Sequence, residues 1–357
     1  MKFDGLKIVD STKFKVCSSS DYNFVFNKKN GYFARWGQNK EDDPDYGPSP
    51  EILDLEITTS CLGIPSLSEP GKKTGKKKPC AFCYKSNNPN GKNMSYETFV
   101  KVMEKMQKTS VTQVAFGADS EATQNPDLWR MMEHLRTLGI VPNITVANIT
   151  DETADNLCKY CGAVAVSCYE NKDICYNSVK KLTDRGMSQI NIHYMICHES
   201  YDRALEVIDD IKNDKRLAKL NAFVLLSLKQ KGGGKGFTAL SSEKFKKLVN
   251  FALENNVSIG FDSCSCHKFL NSVKDHKDYD RFKTYSEPCE SSCFSAYISV
   301  DAKFYPCSFS DGEKDWEDGL DVIGCDSFVK DIWNHPKTVK FRNRLISNRR
   351  NCFLFKV

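Results

Sequence analysis

The sequence predicts an α/β protein built around a parallel sheet, and two observations support that prediction. Short apolar runs recur about every thirty residues from Glu51 onward, and segments with helical periodicity fill the intervals. Runs that are apolar throughout are typical of parallel strands buried on both faces. Alternating βα units of this length form a parallel barrel or a doubly wound sheet. The predicted strands cover residues 52–58, 111–117, 141–147, 163–168, 189–196, 221–228 and 257–262.

Helix starts are also visible between these runs. Asn125 and Pro126 supply an N-cap and a first-turn proline for a helix that ends before Gly139. Four further side chains can cap helices at their first turn, namely Ser95, Thr150, Ser200 and Ser241.

Residues 1–50 precede the repeating pattern and carry a hairpin signal. Two aromatic-rich runs, 22–26 and 32–36, flank a turn that contains Asn30 and Gly31. The segment is too short for a separate recognition domain. We expect it to cover an edge of the following body.

Composition narrows the class of protein. The chain has 357 residues, of which 40% are hydrophobic, and this is enough for a proper core. We expect no signal peptide and no membrane span, because the first residues are charged and no apolar run approaches the required ~18 residues. We therefore expect a cytoplasmic protein whose sixteen cysteines do not form disulfides.

Positive charge is concentrated in one place. The net charge is +5, and five lysines crowd between residues 72 and 78. Such a run is usually a solvated loop, with contact to phosphate or nucleic acid as the less favoured alternative. The lysines are Lys72, Lys73, Lys76, Lys77 and Lys78.

Three cysteines follow the first predicted strand. An apolar alternation stops at Cys61, and a polar excursion then closes on Cys80 and Cys83, which are two residues apart. A pair with this spacing can present both sulfurs to one metal centre. Three thiolate ligands leave one position open, which is typical of a site that performs chemistry. A zinc site or a redox-active pair is the alternative.

This stretch resembles the cluster-binding loop of the radical SAM superfamily, whose motif is C-x3-C-x-aromatic-C after the first barrel strand. Cys80, Phe82 and Cys83 match its second half. Cys61 departs from the motif, because eighteen residues separate it from Cys80. The resemblance implies a partial (β/α)6 TIM-type barrel in which Cys61, Cys80 and Cys83 hold a [4Fe-4S] cluster that binds S-adenosylmethionine.

Weaker similarities follow along the barrel. The segment 116–126 resembles the family's glycine-glycine-glutamate segment, with Glu121 aligned to receive the amino group of the cofactor. Ser167, at the end of the fourth strand, matches a polar contact to the cofactor. The lysine- and glycine-rich segment 226–236 is similar to one that follows the sixth strand in relatives with an extra cluster domain. The resemblance thus assigns cofactor binding to Phe82, Tyr84, Glu121 and Ser167, while His193 is interpreted as a core histidine.

The last part of the chain is again rich in cysteine. Two strands across an Asp-Ala-Lys turn bring Cys293 and Cys307 to the same end of a hairpin. This resembles the SPASM or twitch extension, which implies an auxiliary [4Fe-4S] cluster. Its predicted ligands are Cys289, Cys293, Cys307 and Cys352. The other candidates are Cys264, Cys266 and Cys325.

The resemblance implies three regions: an N-terminal hairpin extension at 1–50, the barrel at 51–274 and the auxiliary-cluster domain at 275–357. It also implies a radical enzyme that reductively cleaves S-adenosylmethionine to a 5'-deoxyadenosyl radical and removes a hydrogen atom from its substrate. A ribosomally made peptide, modified by oxidation, crosslinking or thioether formation, is the favoured substrate. Expected partners are a flavodoxin- or ferredoxin-type electron donor and a separate peptide-recognition protein.

Two other functions stay open. One is a radical SAM enzyme that acts on a nucleotide, a nucleic acid or a small polar metabolite, for which the lysine run is the motivating feature. The other is a non-catalytic zinc or redox protein, which would use the same thiols.

Overall fold

A computed structural model describes residues 2–65, 77–78, 80–85, 89–117 and 120–357. Most of the lysine run lies outside the described residues, and of Lys77 and Lys78 only the backbone is described. The predictions made for that run are therefore not addressed by the structure.

The N-terminal region forms a four-stranded antiparallel sheet in the described part of the chain. Its last two strands are the predicted hairpin, whereas the first two were not predicted. The second strand looked polar because of Lys15, yet this side chain is buried and donates to the carbonyls of Thr109 (3.2 Å) and Val111 (2.6 Å). In order, the strands are β1 Lys7–Asp10, β2 Phe14–Ser18, β3 Asn23–Asn27 and β4 Phe33–Trp36.

A buried ionic network joins this sheet to the rest of the molecule. Arg35 on β4 pairs with Glu51 at 3.0 Å and also with Glu287. Its guanidinium lies 3.4 Å from the centre of the Phe294 ring, and Tyr22 donates to Glu51. The N-terminal sheet is thus fixed to residues of both later regions.

The main sheet has ten strands within the described residues. All seven predicted parallel strands are present, each within a few residues of its predicted bounds. They are β5 Ile52–Leu55, β8 Gln113–Phe116, β9 Val141–Val146, β10 Ala163–Ser167, β11 Ile190–Ile196, β12 Ala222–Ser227 and β13 Ile259–Phe261. A short antiparallel pair, β6 Ile64–Pro65 and β7 Lys77–Lys78, lies between the first two.

Helices cover the outer face of this sheet, where buried apolar side chains such as Leu53, Leu55 and Phe116 point. The helices are α1 Tyr96–Met106, α2 Leu128–Thr137, α3 Asp151–Tyr160, α4 Lys172–Asp184, α5 Tyr201–Asn213 and α6 Ser242–Glu254. The predicted partial barrel is therefore confirmed as an α/β fold.

Three of the predicted helix caps are present, since Ser95, Thr150 and Ser241 each accept a hydrogen bond from a first-turn amide. Ser200 does not cap α5, because its hydroxyl donates to the Met195 carbonyl instead. Asn125 is also used differently. Its amide donates to the carbonyls of residues 57 and 94, at 2.7 and 2.9 Å, while its Oδ1 accepts from the Asp127 amide at 2.9 Å. The first residue of α2 is Leu128, and Asp127 holds the N-cap position.

The C-terminal region continues the main sheet. Strand β14 Ser295–Ile298 pairs in parallel with β5, and β15 Lys303–Tyr305 and β16 Leu320–Asp321 follow in antiparallel order. Ala302 adopts a φ of 55° in the turn between β14 and β15, a left-handed conformation that favours glycine. The remaining helices are α7 Cys266–Ser272, α8 Tyr279–Thr284 and α9 Pro336–Ser347. None of the helices described is both long and apolar enough to cross a membrane.

Candidate active site

Cys61 lies beyond the carboxyl end of β5, and Glu121 lies against the residues on either side of it. The Leu62 amide donates to Glu121 Oε2 at 3.0 Å, and the Glu121 amide donates to the Ser60 carbonyl at 3.3 Å. The loops that follow β5 and β8 are therefore tied together. Within the described part of the chain, only one oxygen of the Glu121 carboxylate accepts a hydrogen bond, which leaves the other for a ligand.

The Cys80–Cys83 turn is closed by a hydrogen bond from the Cys83 amide to the Cys80 carbonyl at 3.0 Å. Burial raises the pKa of the Cys80 thiol to about 11, and the nearby thiols of Cys83 and Cys61 act in the same direction. The structure thus brings the three predicted thiols into one neighbourhood. Metal ligation would require them as thiolates.

Tyr169, just beyond β10, was not predicted and lies at this neighbourhood. Its hydroxyl donates to the Cys80 thiol and accepts from Ser167. Its ring stacks on Phe82, with 5.8 Å between ring centres. The predicted residues Phe82 and Ser167 are therefore linked to Cys80 through a single tyrosine. A tyrosine two positions after a strand-end serine was the only sequence signal for it.

The glycine-rich segment also packs against the cysteine turn. The Gly233 amide donates to the Cys83 carbonyl at 2.8 Å, and a Cβ added at Gly233 would lie 2.3 Å from the Ala81 carbonyl oxygen. At Gly232, with a φ of 52°, an added Cβ would lie 2.5 Å from the Tyr84 carbonyl oxygen. Glycine is needed here because two backbones are in contact.

Tyr84, next to Cys83, contacts the C-terminal region. Its ring stacks on Phe309 at 4.1 Å between ring centres, and Phe309 in turn contacts Phe355. This stack connects the cysteine turn to the C-terminal region. The role in cofactor binding predicted for Tyr84 stays a prediction.

A second group of thiols lies in that region. Cys289 and Cys352 donate hydrogen bonds to Cys264, and Cys307 lies beside Cys264 and Cys289. The same four residues line a narrow cavity together with Phe309 and other apolar side chains. These four thiols come from four separate segments of the chain.

This group differs at one position from the predicted set. Cys293 does not line the cavity, because it is fully buried where the chain enters β14, next to Arg342 and Arg350. Cys264 occupies the fourth position, since the turn after β13 delivers it to the carboxyl edge of the sheet. Of the other two candidates, Cys266 is buried within α7, and Cys325 donates to the Val322 carbonyl at 3.1 Å.

Lys229 accompanies the second thiol group. Burial opposes its charge, but Asp262, with which it forms an ion pair, and Cys264 raise the pKa of the ammonium. It also lies 4.9 Å from the centre of the Phe309 ring. A buried cation at this point compensates negative charge on the thiols.

The donor chemistry of both groups suits iron–sulfur clusters, which are held by cysteine thiolates. Across the described ranges, no three Cys, His, Asp or Glu side chains surround a single ion-sized position. A cubane cluster is larger than one ion and needs ligands that stand further apart.

No protein-family model and no curated protein matches the chain. Several solved structures share its fold. The structure of Streptococcus suis SuiB bound to the precursor peptide SuiA has a TM-score of 0.69 and 14% identity, and the match covers 94% of this chain and 90% of SuiB. A second SuiB structure has a TM-score of 0.64 and 13% identity, with coverage of 96% and 90%.

SuiB bound to S-adenosylmethionine gives a TM-score of 0.61 and 16% identity, with coverage of 83% of this chain and 68% of that chain. At such identities the likeness concerns the fold. The fold predicted from the resemblance to radical SAM enzymes is confirmed by these structures.

Proposed function

We propose that this chain is a radical SAM enzyme that modifies a ribosomally synthesised peptide. The observation that carries the proposal is the convergence of Cys61, Cys80 and Cys83 beside Glu121 at the carboxyl edge of the parallel sheet. Active sites of parallel α/β folds lie at this edge. A three-thiol face with one carboxylate beside it fits a cluster that keeps one iron for the cofactor.

Each group of this site has a defined task in the proposal. The three thiolates hold a [4Fe-4S] cluster, and the second oxygen of Glu121 accepts a hydrogen bond from the amino group of S-adenosylmethionine. Tyr169 and Ser167 orient the Cys80 side, and the glycine segment keeps water away from the turn. When bound, the reduced cluster would supply the one electron for reductive cleavage of S-adenosylmethionine, and this cleavage would provide the radical chemistry that acts on the substrate.

The second thiol group is proposed to hold an auxiliary [4Fe-4S] cluster on Cys264, Cys289, Cys307 and Cys352. Four protein ligands leave no position for substrate. Such a site serves electron transfer, and the net reaction is then an oxidation or a crosslink. Lys229 compensates the negative charge of the group.

A peptide is favoured as the substrate because SuiB, which shares the fold, was solved with its precursor peptide. The expected electron donor is of the flavodoxin or ferredoxin type. A nucleotide, a nucleic acid or a small polar metabolite stays the alternative, since most of the lysine run that motivated it lies outside the described residues.

Anaerobic purification tests the proposal. We expect a brown protein with about two cubane clusters, because the three-cysteine site and the four-cysteine site each hold one. The double change Cys80→Ala and Cys83→Ala should remove one cluster and all cleavage of S-adenosylmethionine, whereas Cys158→Ala, on the outer helix α3, should remove neither. Tightly bound zinc, with no iron or sulfide under strict anaerobiosis, would overturn the proposal.

A further inference from the structure

The inner face of the parallel sheet is not packed like an ordinary barrel core. Barrel interiors are usually filled by branched apolar side chains. Here the inward-facing positions of β5 and β8–β13 are mostly small or polar and partly exposed. They include Gln113, Ala115, Asn143, Thr145, Asn191 and Gly260, and the space that they line is called the lumen below.

Asp54 faces the lumen from β5. Its neighbours Leu53 and Leu55 are 0% and 2% exposed on the opposite, helix-covered face, whereas Asp54 itself is partly exposed. Burial among surrounding protein raises the pKa of its carboxyl to about 6. Among the described residues, none forms a hydrogen bond or an ion pair with this carboxylate.

His193 faces the lumen from β11 and is paired in register with Ser167 of β10. Burial lowers the pKa of its imidazole to about 4, so that the ring is neutral. Nothing in the described part of the chain hydrogen-bonds to either ring nitrogen. His193 is therefore buried, as the interpretation as a core histidine expected, but its ring has no hydrogen-bond partner among the described residues.

These two side chains stand out from the other polar groups of the same face. The amide of Asn143 donates to Gln113 at 2.8 Å and its oxygen accepts from the Ala163 amide at 2.9 Å, so this pair is satisfied internally. A carboxylate and an imidazole that are enclosed by protein without partners destabilise the fold unless a ligand or water completes them. Such groups in a cleft indicate a binding site.

We propose that the lumen binds the cationic side chain of a substrate residue, of the lysine or arginine type. Asp54 is its counter-ion, and His193 offers a neutral hydrogen-bonding group nearer the thiol-bearing edge. Asp54 lies within β5, and Cys61 follows the carboxyl end of the same strand. A substrate side chain whose charged tip is bound at Asp54 therefore presents its carbon atoms towards Cys61, Cys80 and Cys83. That the side chain belongs to a peptide rests on the proposed function, whereas the cation site itself does not.

The test uses n-butylammonium, which carries the tip of a lysine side chain, and neutral n-pentanol of similar size. Ligand-observed NMR titrations are run on the full-length protein, on Asp54→Asn and on the exposed control Asp202→Asn. We expect saturable binding of the amine to the native chain and to Asp202→Asn. Because the charge-assisted contact is lost, Asp54→Asn should bind n-butylammonium at least about tenfold more weakly than the native chain. Its affinity for n-pentanol should be unchanged.

A second variant blocks the site without touching the carboxylate. Ala115 is the register partner of Asp54 on β8, and Ala115→Leu should fill the space and abolish binding of both probes. Equal amine affinity in native and Asp54→Asn protein, or amine binding that survives Ala115→Leu, would overturn the proposal. Because neither probe requires cofactor cleavage, failure of the radical reaction and failure of this site are distinguished.

Discussion

Glu121 illustrates how much one residue contributes to the proposed site. Its amide and one carboxylate oxygen are bound to Ser60 and Leu62, on either side of Cys61. The side chain therefore has two tasks: it connects two loops through a hydrogen bond, and it carries a negative charge. A substitution that keeps the hydrogen bond but removes the negative charge separates these two tasks.

Glu121→Gln should weaken binding of S-adenosylmethionine while the iron content stays normal. The amide oxygen still accepts from the Leu62 amide, but the charge that receives the cofactor's ammonium is lost, and this is worth about 1.5 to 3 kcal/mol. Calorimetric titration of anaerobic protein measures the change, with the exposed Glu133→Gln as the control. Unchanged affinity would show that Glu121 does not contact the cofactor.

At the scale of elements, the strands were predictable and their contacts were not. The seven parallel strands were found because each is a short apolar run with its own local signal. The contact between Gly233 and the Cys83 carbonyl joins segments far apart in sequence. A glycine run alone is equally typical of a flexible loop, so its docking could not be derived.

The same limit explains why the thiols that line the second cavity differ from the predicted ligand set. Cys289, Cys293 and Cys307 were predicted together because a short hairpin joins them, and Cys352 was added because it follows near the chain end. Cys293 was included for its position in that hairpin, but local sequence does not show which way a buried side chain points. Cys264 belongs to the turn after β13, and only the sheet brings it to the others.

Gly233→Ala should disturb the docking of the glycine segment on the cysteine turn. The added Cβ would lie 2.3 Å from the Ala81 carbonyl oxygen, whereas a Cβ at Gly236 meets nothing within 4 Å. Overpacking of this kind costs about 1 to 3 kcal/mol. Chemical denaturation should therefore show a lower free energy of unfolding for Gly233→Ala than for Gly236→Ala, and iron occupancy of the first site should fall as well. Equal stability of the two variants would contradict the contact.

For the whole molecule, the two thiol groups are connected structurally. Tyr84 stacks on Phe309, Lys85 binds Asp311 at 2.8 Å, and Lys231 donates to the Phe309 carbonyl at 2.8 Å. The pairing of β14 with β5 adds a continuous backbone link. The predicted regions 51–274 and 275–357 therefore share a sheet and an interface, and their division into domains stays a prediction.

This arrangement makes the ligand set of the second site testable in the intact protein. Cys264→Ala should lower the iron content from about eight to about four atoms per chain, because it removes one thiolate of a four-ligand cubane. Cys293→Ala is the matched control, since that thiol is buried next to Arg342 and Arg350 and should leave the iron content unchanged.

The functional readout follows from the same geometry. In the proposed function, cleavage of S-adenosylmethionine depends on Cys61, Cys80 and Cys83, so it should persist in Cys264→Ala. Product formation should be lost in that variant if the second site transfers electrons. Cys307→Ala and Cys352→Ala should behave like Cys264→Ala, because all three thiols line one cavity. Loss of iron in Cys293→Ala with full iron in Cys264→Ala would restore the ligand set predicted from sequence. Normal product from Cys264→Ala would instead remove the electron-transfer role while leaving the first site intact.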